Sequence, residues 1–186
     1  MVGRETTQAK LNHTLVRIVD LLKQNDISLW FAGYGTLLGL VREGQCIDKD
    51  DDVDIVCCDQ SYDVLVAGLQ AAGLGFKVDP YRKQQQRRLI KTEVTHEFAS
   101  VDFYMAAVGP EGNFRDKWED IHWRDCYADV AERTFDVKLM DEREIHIPAN
   151  PVPRLVRLYG DTWETPQNVK GGKGLKVVGS DTEWWV

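Results

Sequence analysis

The run Asp50-Asp51-Asp52-Val53-Asp54-Ile55-Val56-Cys57-Cys58 limits the folds open to this chain more than any other stretch. From Asp52 onward, carboxylates alternate with β-branched residues and then give way to an unbroken apolar run. This pattern predicts a strand from Asp52 to Cys58, edged with acidic groups. Upstream, Gly33-Tyr34-Gly35 breaks an apolar segment. Thr36 to Arg42 then reads as a short helix, with Thr36 near its N-terminus and Gly44 ending the segment. A glycine turn, a short helix and an acid-edged strand in succession call for a mixed helix and strand architecture.

The rest of the chain extends that pattern. Leu11, Leu15, Ile18, Val19 and Leu22 recur at helical spacing, which predicts an amphipathic helix from about Thr7 to Asn25. Ile27 to Ala32 reads as a strand containing Trp30 and Phe31. Ser61 is placed to cap a helix running to Ala72, stopped by Gly73. Phe76 to Tyr81, Arg88 to Glu93 and Ser100 to Val108 read as further strands. Phe114, Trp118 and Ile121 recur at helical spacing and predict an aromatic stripe packed into the core. Phe135 to Leu139 and Glu144 to Ile147 form an expected hairpin around Asp141-Glu142. Asn150 then caps a helix with Pro151 at its first position. Val152, Leu155, Val156 and Tyr159 are its expected buried face, and Gly160 its end. Adjacent strands with short turns imply a partly antiparallel sheet. The fold class expected is therefore α+β, a mixed β-sheet flanked by helices. Residues 1–166 are expected to form one domain. Residues 167–186 read as a polar, glycine-rich tail, loosely held unless Trp184 and Trp185 dock.

Composition removes several function classes. A net charge of −7 and a pI near 5.1 argue against a nonspecific nucleic-acid binder, which needs a basic face. No apolar run is long enough for a transmembrane segment. Met1 to Glu5 lacks the apolar core of a secretory signal, so a cytoplasmic chain is expected. The four cysteines, Cys46, Cys57, Cys58 and Cys126, make no CxxC pair. Buried free thiols are expected, rather than a zinc site or a disulfide framework. His13, His96, His122 and His146 are scattered and suggest no nucleophilic triad. Lys170-Gly171-Gly172-Lys173-Gly174 lacks the preceding strand and the spacing of a phosphate-binding P-loop.

The carboxylates carry the chemistry. Asp52 and Asp54 are two apart on a strand, so both side chains leave one face. Their hard oxygens suit Mg2+ or Mn2+. Asp102, in Ser100-Val101-Asp102-Phe103-Tyr104-Met105, is the candidate third ligand. A charge in so apolar a run is costly unless paired or metal-bound. The alternative is that Asp102 lies at a sheet edge and pairs with an arginine. Asp48, Asp50 and Asp52 also fit the first ligand positions of an EF-hand. That reading fails at Val53, where glycine is needed, and at Asp59, where glutamate is needed. Gly33 and Gly35 allow close backbone approach to a phosphate, and amides at the start of the Thr36 helix can face its oxygens. Arg42 and Lys91 are candidate phosphate contacts, because an anionic substrate in an acidic protein needs cations.

Gly35-Thr36-Leu37-Leu38-Gly39-Leu40-Val41-Arg42-Glu43-Gly44, continuing through Ile47 to Asp50-Asp51-Asp52-Val53-Asp54-Ile55, resembles the LicD family, which includes the fukutin-related proteins. The family pattern runs approximately GTLLGxxRxGxxIPWDDDIDI. Val101-Asp102-Phe103 is similar to its third-carboxylate strand. Ile147-Pro148-Ala149-Asn150-Pro151 and Leu158-Tyr159-Gly160-Asp161-Thr162-Trp163 are similar to its closing segment. Asp48 and Lys49 stand where the family has Pro-Trp. The resemblance implies a nucleotidyltransferase-like fold. It also implies metal-dependent transfer of a phospho-alcohol, of the phosphocholine or ribitol or glycerol phosphate type, from a CDP-activated donor to a glycan hydroxyl. In that reading Asp52, Asp54 and Asp102 hold the metals, Asp102 accepts the acceptor's proton, and Gly33, Gly35, Thr36, Arg42 and Lys91 contact the donor. One alternative is transfer of a nucleoside monophosphate from an NTP to a small-molecule hydroxyl, as in antibiotic adenylyltransferases. Another is a non-catalytic nucleotide-binding module.

Overall fold

A computed structural model describes residues 6–72, 78–79 and 87–166. The expected helix stop at Gly73, most of the expected strand over 76–81, the Lys170–Gly174 stretch and the tail with Trp184 and Trp185 lie outside these residues.

The chain opens with α1 (Gln8–Gln24), whose N-cap Thr7 accepts the Lys10 amide through its side chain. Leu11, Leu15, Ile18, Val19 and Leu22 are all buried along one face, as their spacing predicts. β1 is only Trp30–Ala32, shorter than its apolar run. α2 spans Tyr34–Arg42 with Gly33 as N-cap, so the helix starts inside the expected glycine break. β2 (Asp52–Cys58) and β5 (Ser100–Val108) have the expected bounds. Between them come α3 (Tyr62–Ala71), the two-residue β3 (Val78–Asp79) and β4 (Leu89–Thr92). Ser61 makes no side-chain cap bond to α3; a short 3-10 turn over Asp59–Ser61 leads in instead.

The main sheet runs in the order β1-β2-β5-β4-β3. β1 is antiparallel to β2, β2 is parallel to β5, and β4 is antiparallel to β5. This is the expected mixed sheet. Val53, Ile55 and Cys57 alternate with Asp54, Val56 and Cys58, and all six are buried, so both faces of β2 are covered. All four cysteines are free and buried. No described helix is long and apolar enough to cross a membrane.

Two expectations need correction. The segment around Phe114 is not helical: it is β6 (Phe114–Asp116), a turn and β7 (His122–Trp123), with β6 paired to the far end of β5. The Asp116 carboxylate accepts the amides of Trp118 and Glu119, which closes the turn, and Asp120 adopts a left-handed φ of 57°. Phe114 and Trp123 still reach the core, packing edge-on against Phe31. The second correction is to part of α4 (Pro151–Tyr159): Leu155 is buried and Val156 and Tyr159 pack against the core as expected, but Val152 is exposed and Arg154 and Leu158 are buried. Arg154 is tolerated there because its guanidinium donates to the carbonyls of Ala149 and Asp125. Asn150 sits at φ 51° and makes no side-chain cap bond. The hairpin of β8 (Asp136–Met140) and β9 (Arg143–Ile147) forms as expected. Asp141 and Glu142 both take left-handed φ values, 46° and 62°, as a tight two-residue turn requires.

Candidate active site

Parallel pairing of β2 with β5 builds the site. The register sets Asp54 beside Asp102 and Asp52 beside Ser100. Side chains two apart share a face, so Asp52, Asp54 and Asp102 gather on one side of the sheet. β4 adds Lys91 directly across from Asp102. Its ammonium donates to Asp102 Oδ1 at 2.7 Å and to Asp52 Oδ2 at 3.2 Å. The partner of Asp102 is thus a lysine on the neighbouring strand, not an arginine at a sheet edge.

Asp54 is the most deeply held of the three. Its Oδ2 accepts the Gly35 amide at 3.0 Å and its Oδ1 accepts the Tyr104 hydroxyl at 3.2 Å. Its own amide donates to the Thr36 hydroxyl at 2.8 Å, and its carbonyl accepts the Gly33 amide at 3.1 Å. Gly33, Gly35 and Thr36 therefore stand at the carboxylates, and their polar groups bind Asp54 itself. A Cβ on Gly35 would lie 2.9 Å from Asp50 Oδ2 and 3.2 Å from Asp54 Oδ2, so the glycine makes room for acidic side chains. Arg42, at the other end of α2, pairs with Glu43 at 2.6 Å.

Asp50 and Asp51 also stand at the cluster, where strand alternation did not place them. Carboxylate oxygens of Asp50, Asp51 and Asp52 lie within 4.8 Å of one another. The signal was plain in the sequence, since the three are contiguous, but they precede the strand pattern. The loop carrying them is tied to the start of α1. The Thr6 amide and hydroxyl both donate to the Asp50 carbonyl, the Gln8 side chain donates to the Cys46 carbonyl, and the Asn12 side chain accepts the Cys46 amide. Gly39 lets the loop cross α2, since a Cβ there would meet the Gln45 carbonyl oxygen at 2.5 Å.

Tyr104 was also missed, although it lies two residues beyond Asp102 and so shares its face. Its ring packs on Tyr34 at 4.5 Å. The Tyr34 hydroxyl in turn donates to Asp116, which is wholly buried.

The electrostatics are those of a crowded acidic site. Burial pushes the Asp52 carboxyl up to about 7, with the Asp102 charge adding to the rise and Lys91 opposing it. Burial, then Asp52 and Asp102, raise Asp54 well above the usual carboxylate range. Asp102 is raised by burial against the opposing pull of Lys91, and Asp50 by burial. Burial lowers the Lys91 ammonium, but Asp102 and Asp52 outweigh it and leave its pKa raised. One lysine does not neutralise four neighbouring carboxylates. A set of hard oxygens with surplus negative charge is compatible with a divalent cation.

A sequence profile described as LicD/FKTN/FKRP, nucleotidyltransferase domain, matches residues 27–140. The chain belongs to this family. The matched span takes in the glycine turn, the aspartate run, Lys91 and Asp102. The segment from Ile147 to Trp163 lies beyond it. No curated protein sequence matches the chain significantly. Solved structures extend the comparison to the fold. The lincomycin-bound lincosamide antibiotic adenylyltransferase LnuA superposes with a TM-score of 0.54 at 14% identity, over 81% of this chain and 85% of that one. The antibiotic-resistance factor ANT(2″)-Ia superposes with a TM-score of 0.50 at 13% identity, over 76% of this chain and 66% of that one. The LicD-family chain thus has a nucleotidyltransferase-like α+β fold and is a transferase of that family.

Proposed function

We propose that this LicD-family chain moves a phospho-alcohol, of the phosphocholine or ribitol or glycerol phosphate type, from a CDP-activated donor to a glycan hydroxyl. The observation that carries this reading is the meeting of Asp52, Asp54 and Asp102 on one sheet face, beside the glycine turn, within the family-matched span. Asp52, Asp54 and Asp102 would hold Mg2+ or Mn2+, with Asp50 and Asp51 beside them. The bound cation would supply charge neutralisation for the donor phosphates and acidify the acceptor hydroxyl.

The chain's own groups have separate tasks. Without a cation Asp102 Oδ1 is on Lys91; with one held at the cluster, an Asp102 oxygen is the proposed acceptor of the hydroxyl proton. The acceptor oxygen then bonds phosphorus as the bond to the leaving nucleotide breaks, in line. Gly35 and Tyr104 orient Asp54 through its two oxygens. Gly33, Gly35 and Thr36 line the donor side. Arg42 would contact donor phosphate by exchanging Glu43 for it, and Lys91 is a second phosphate contact.

Nucleoside monophosphate transfer from an NTP to a small-molecule hydroxyl is the second reading. It has the support of a shared fold with an adenylyltransferase. One experiment separates the two. The protein is screened with Mg2+ against CDP-alcohols and NTPs, with glycan and small-molecule acceptors, and the nucleotide product is identified. Release of CMP supports the phospho-alcohol reading. Pyrophosphate from an NTP replaces it with nucleotidyl transfer. Absence of product with CDP still bound by calorimetry leaves a non-catalytic nucleotide-binding module, and absence of both Mg2+ and CDP binding overturns the phospho-alcohol reading.

A further inference from the structure

Lys91 occupies a place in the carboxylate cluster that a bridging cation would also seek. Its Nζ makes ion-pair contacts with one oxygen on each of two strands, Asp102 Oδ1 at 2.7 Å and Asp52 Oδ2 at 3.2 Å. β4 delivers it from the far side of β5, opposite Asp102 in the ladder. The lysine side chain is 38% exposed, whereas those of Asp52 and Asp102 are 19% and 11% exposed. The ammonium therefore closes the cluster from its solvent side and can withdraw without opening the core.

We propose that Lys91 is the internal counter-ion of the metal-free site, displaced from Asp52 and Asp102 when a divalent cation enters. This rests on the reading that these carboxylates take the cation. The physical argument has three parts. Buried carboxylates this close repel one another unless a positive charge lies among them, and Lys91 is the described cation bonded to both Asp52 and Asp102. The two positive charges repel strongly at such range, and the doubly charged ion has the greater attraction for carboxylate oxygens. Finally, an ammonium on a flexible four-carbon stem is a mobile point charge, unlike a rigid guanidinium fork. Withdrawn from the two aspartates, Lys91 becomes available to an anionic donor. Metal entry and donor binding are then coupled through one side chain.

The test uses the full chain labelled with 15N-lysine. Ammonium correlations are recorded during an Mg2+ titration, with Lys91→Gln assigning the Lys91 signal. Calorimetry with Mn2+ and thermal melts compare wild type with Lys91→Met. The expected result is a protected Lys91 ammonium in the metal-free protein that is lost on Mg2+ saturation. Lys91→Met should bind Mn2+ at least about tenfold tighter. It should also melt lower than wild type without metal, and saturating Mn2+ should close that gap. A Lys91 signal that is absent without metal, or unmoved at saturating Mg2+, overturns the proposal, as does equal or weaker Mn2+ binding by Lys91→Met. If Lys91→Met does not fold, the wild-type titration decides alone. Failure of both proteins to bind Mn2+ sinks the metal reading itself and this proposal with it. Binding by both, with no gain in the variant, sinks only the role of Lys91.

Discussion

Asp54 shows how a single residue is built for its place. Both of its oxygens already have donors, from Gly35 and Tyr104, yet burial and its acidic neighbours still raise its pKa well above normal. Its charge therefore opposes folding, so its presence points to function. Asp54→Asn should abolish turnover while leaving a folded protein whose Tm at neutral pH is unchanged or higher, as read by circular dichroism melts. Loss of folding would instead make Asp54 structural. Tyr104→Phe removes only a hydroxyl. It should cost about 1 kcal/mol of net hydrogen bonding and lower turnover or metal affinity roughly tenfold. Asp116 offers a test in pH. Burial holds its carboxyl at about 6, against the help it receives from Tyr34 and two amides. Its folded pKa lies above the unfolded one, so its contribution is fully present below about 4 and is lost as pH rises through about 6. Asp116→Asn should flatten the stability slope between those values, read as the difference between two urea series. Asp52, Asp54 and Asp102 were legible in the sequence because strand alternation and the cost of charge in an apolar run point at them. Asp116 was not, because Phe114, Trp118 and Ile121 imitate a helix face.

At the scale of elements, the acidic loop and α2 are one device. The loop from Gln45 to Ile47 passes so close to Gly39 that a Cβ would fall 2.5 Å from one backbone atom and 2.9 Å from another. Neither can move as a flexible side chain end could. Gly39→Ala should therefore destabilise the fold by about 1–3 kcal/mol. It should also lower turnover, because the loop carries Asp50 into the site. The comparison of urea midpoints and activity with Leu38→Ala, a neighbouring helix substitution, separates the crossing from general packing. The elements that could be read from the sequence are those where period and end signals agree. α1 has a capping Thr7 and a buried stripe; β2 and β5 have apolar runs broken by their aspartates; the β8–β9 hairpin has a two-residue turn. Elements failed where only one signal was present. The spacing from Phe114 to Ile121 has no cap behind it, and local side-chain bonds from Asp116 fold it into a turn. α4 has the expected bounds and its expected Leu155, Val156 and Tyr159 pack against the core, but Val152 is exposed and Arg154 is buried, because the carbonyls of Ala149 and Asp125 satisfy its guanidinium.

For the molecule as a whole, the decisive event is long-range. Asp54 and Asp102 meet only because β2 and β5 pair in parallel with one register, and no local pattern in the chain states that register. A slip of one residue would turn Asp102 to the opposite face. The fold must therefore stabilise this pairing through the apolar remainder of both strands, since the carboxylates themselves repel. Val53, Ile55, Val101 and Phe103 are fully buried at this junction, and their burial outweighs the repulsion. If so, a divalent cation would act on a site whose register the apolar junction already sets. Chelation should leave the secondary structure intact and lower only the melting temperature. At a cation concentration of about 100 times Kd, linkage adds about 2.7 kcal/mol, worth roughly 5–10 °C for a domain of this size. The gain should disappear in Asp54→Asn and persist in Asp116→Asn, whose carboxylate lies outside the cluster. Differential scanning calorimetry with Mg2+ and with EDTA makes the measurement. Equal gains in both variants would place the cation elsewhere on this acidic protein. A chelated protein that lost its sheet would mean that the cation, and not the apolar junction, sets the register.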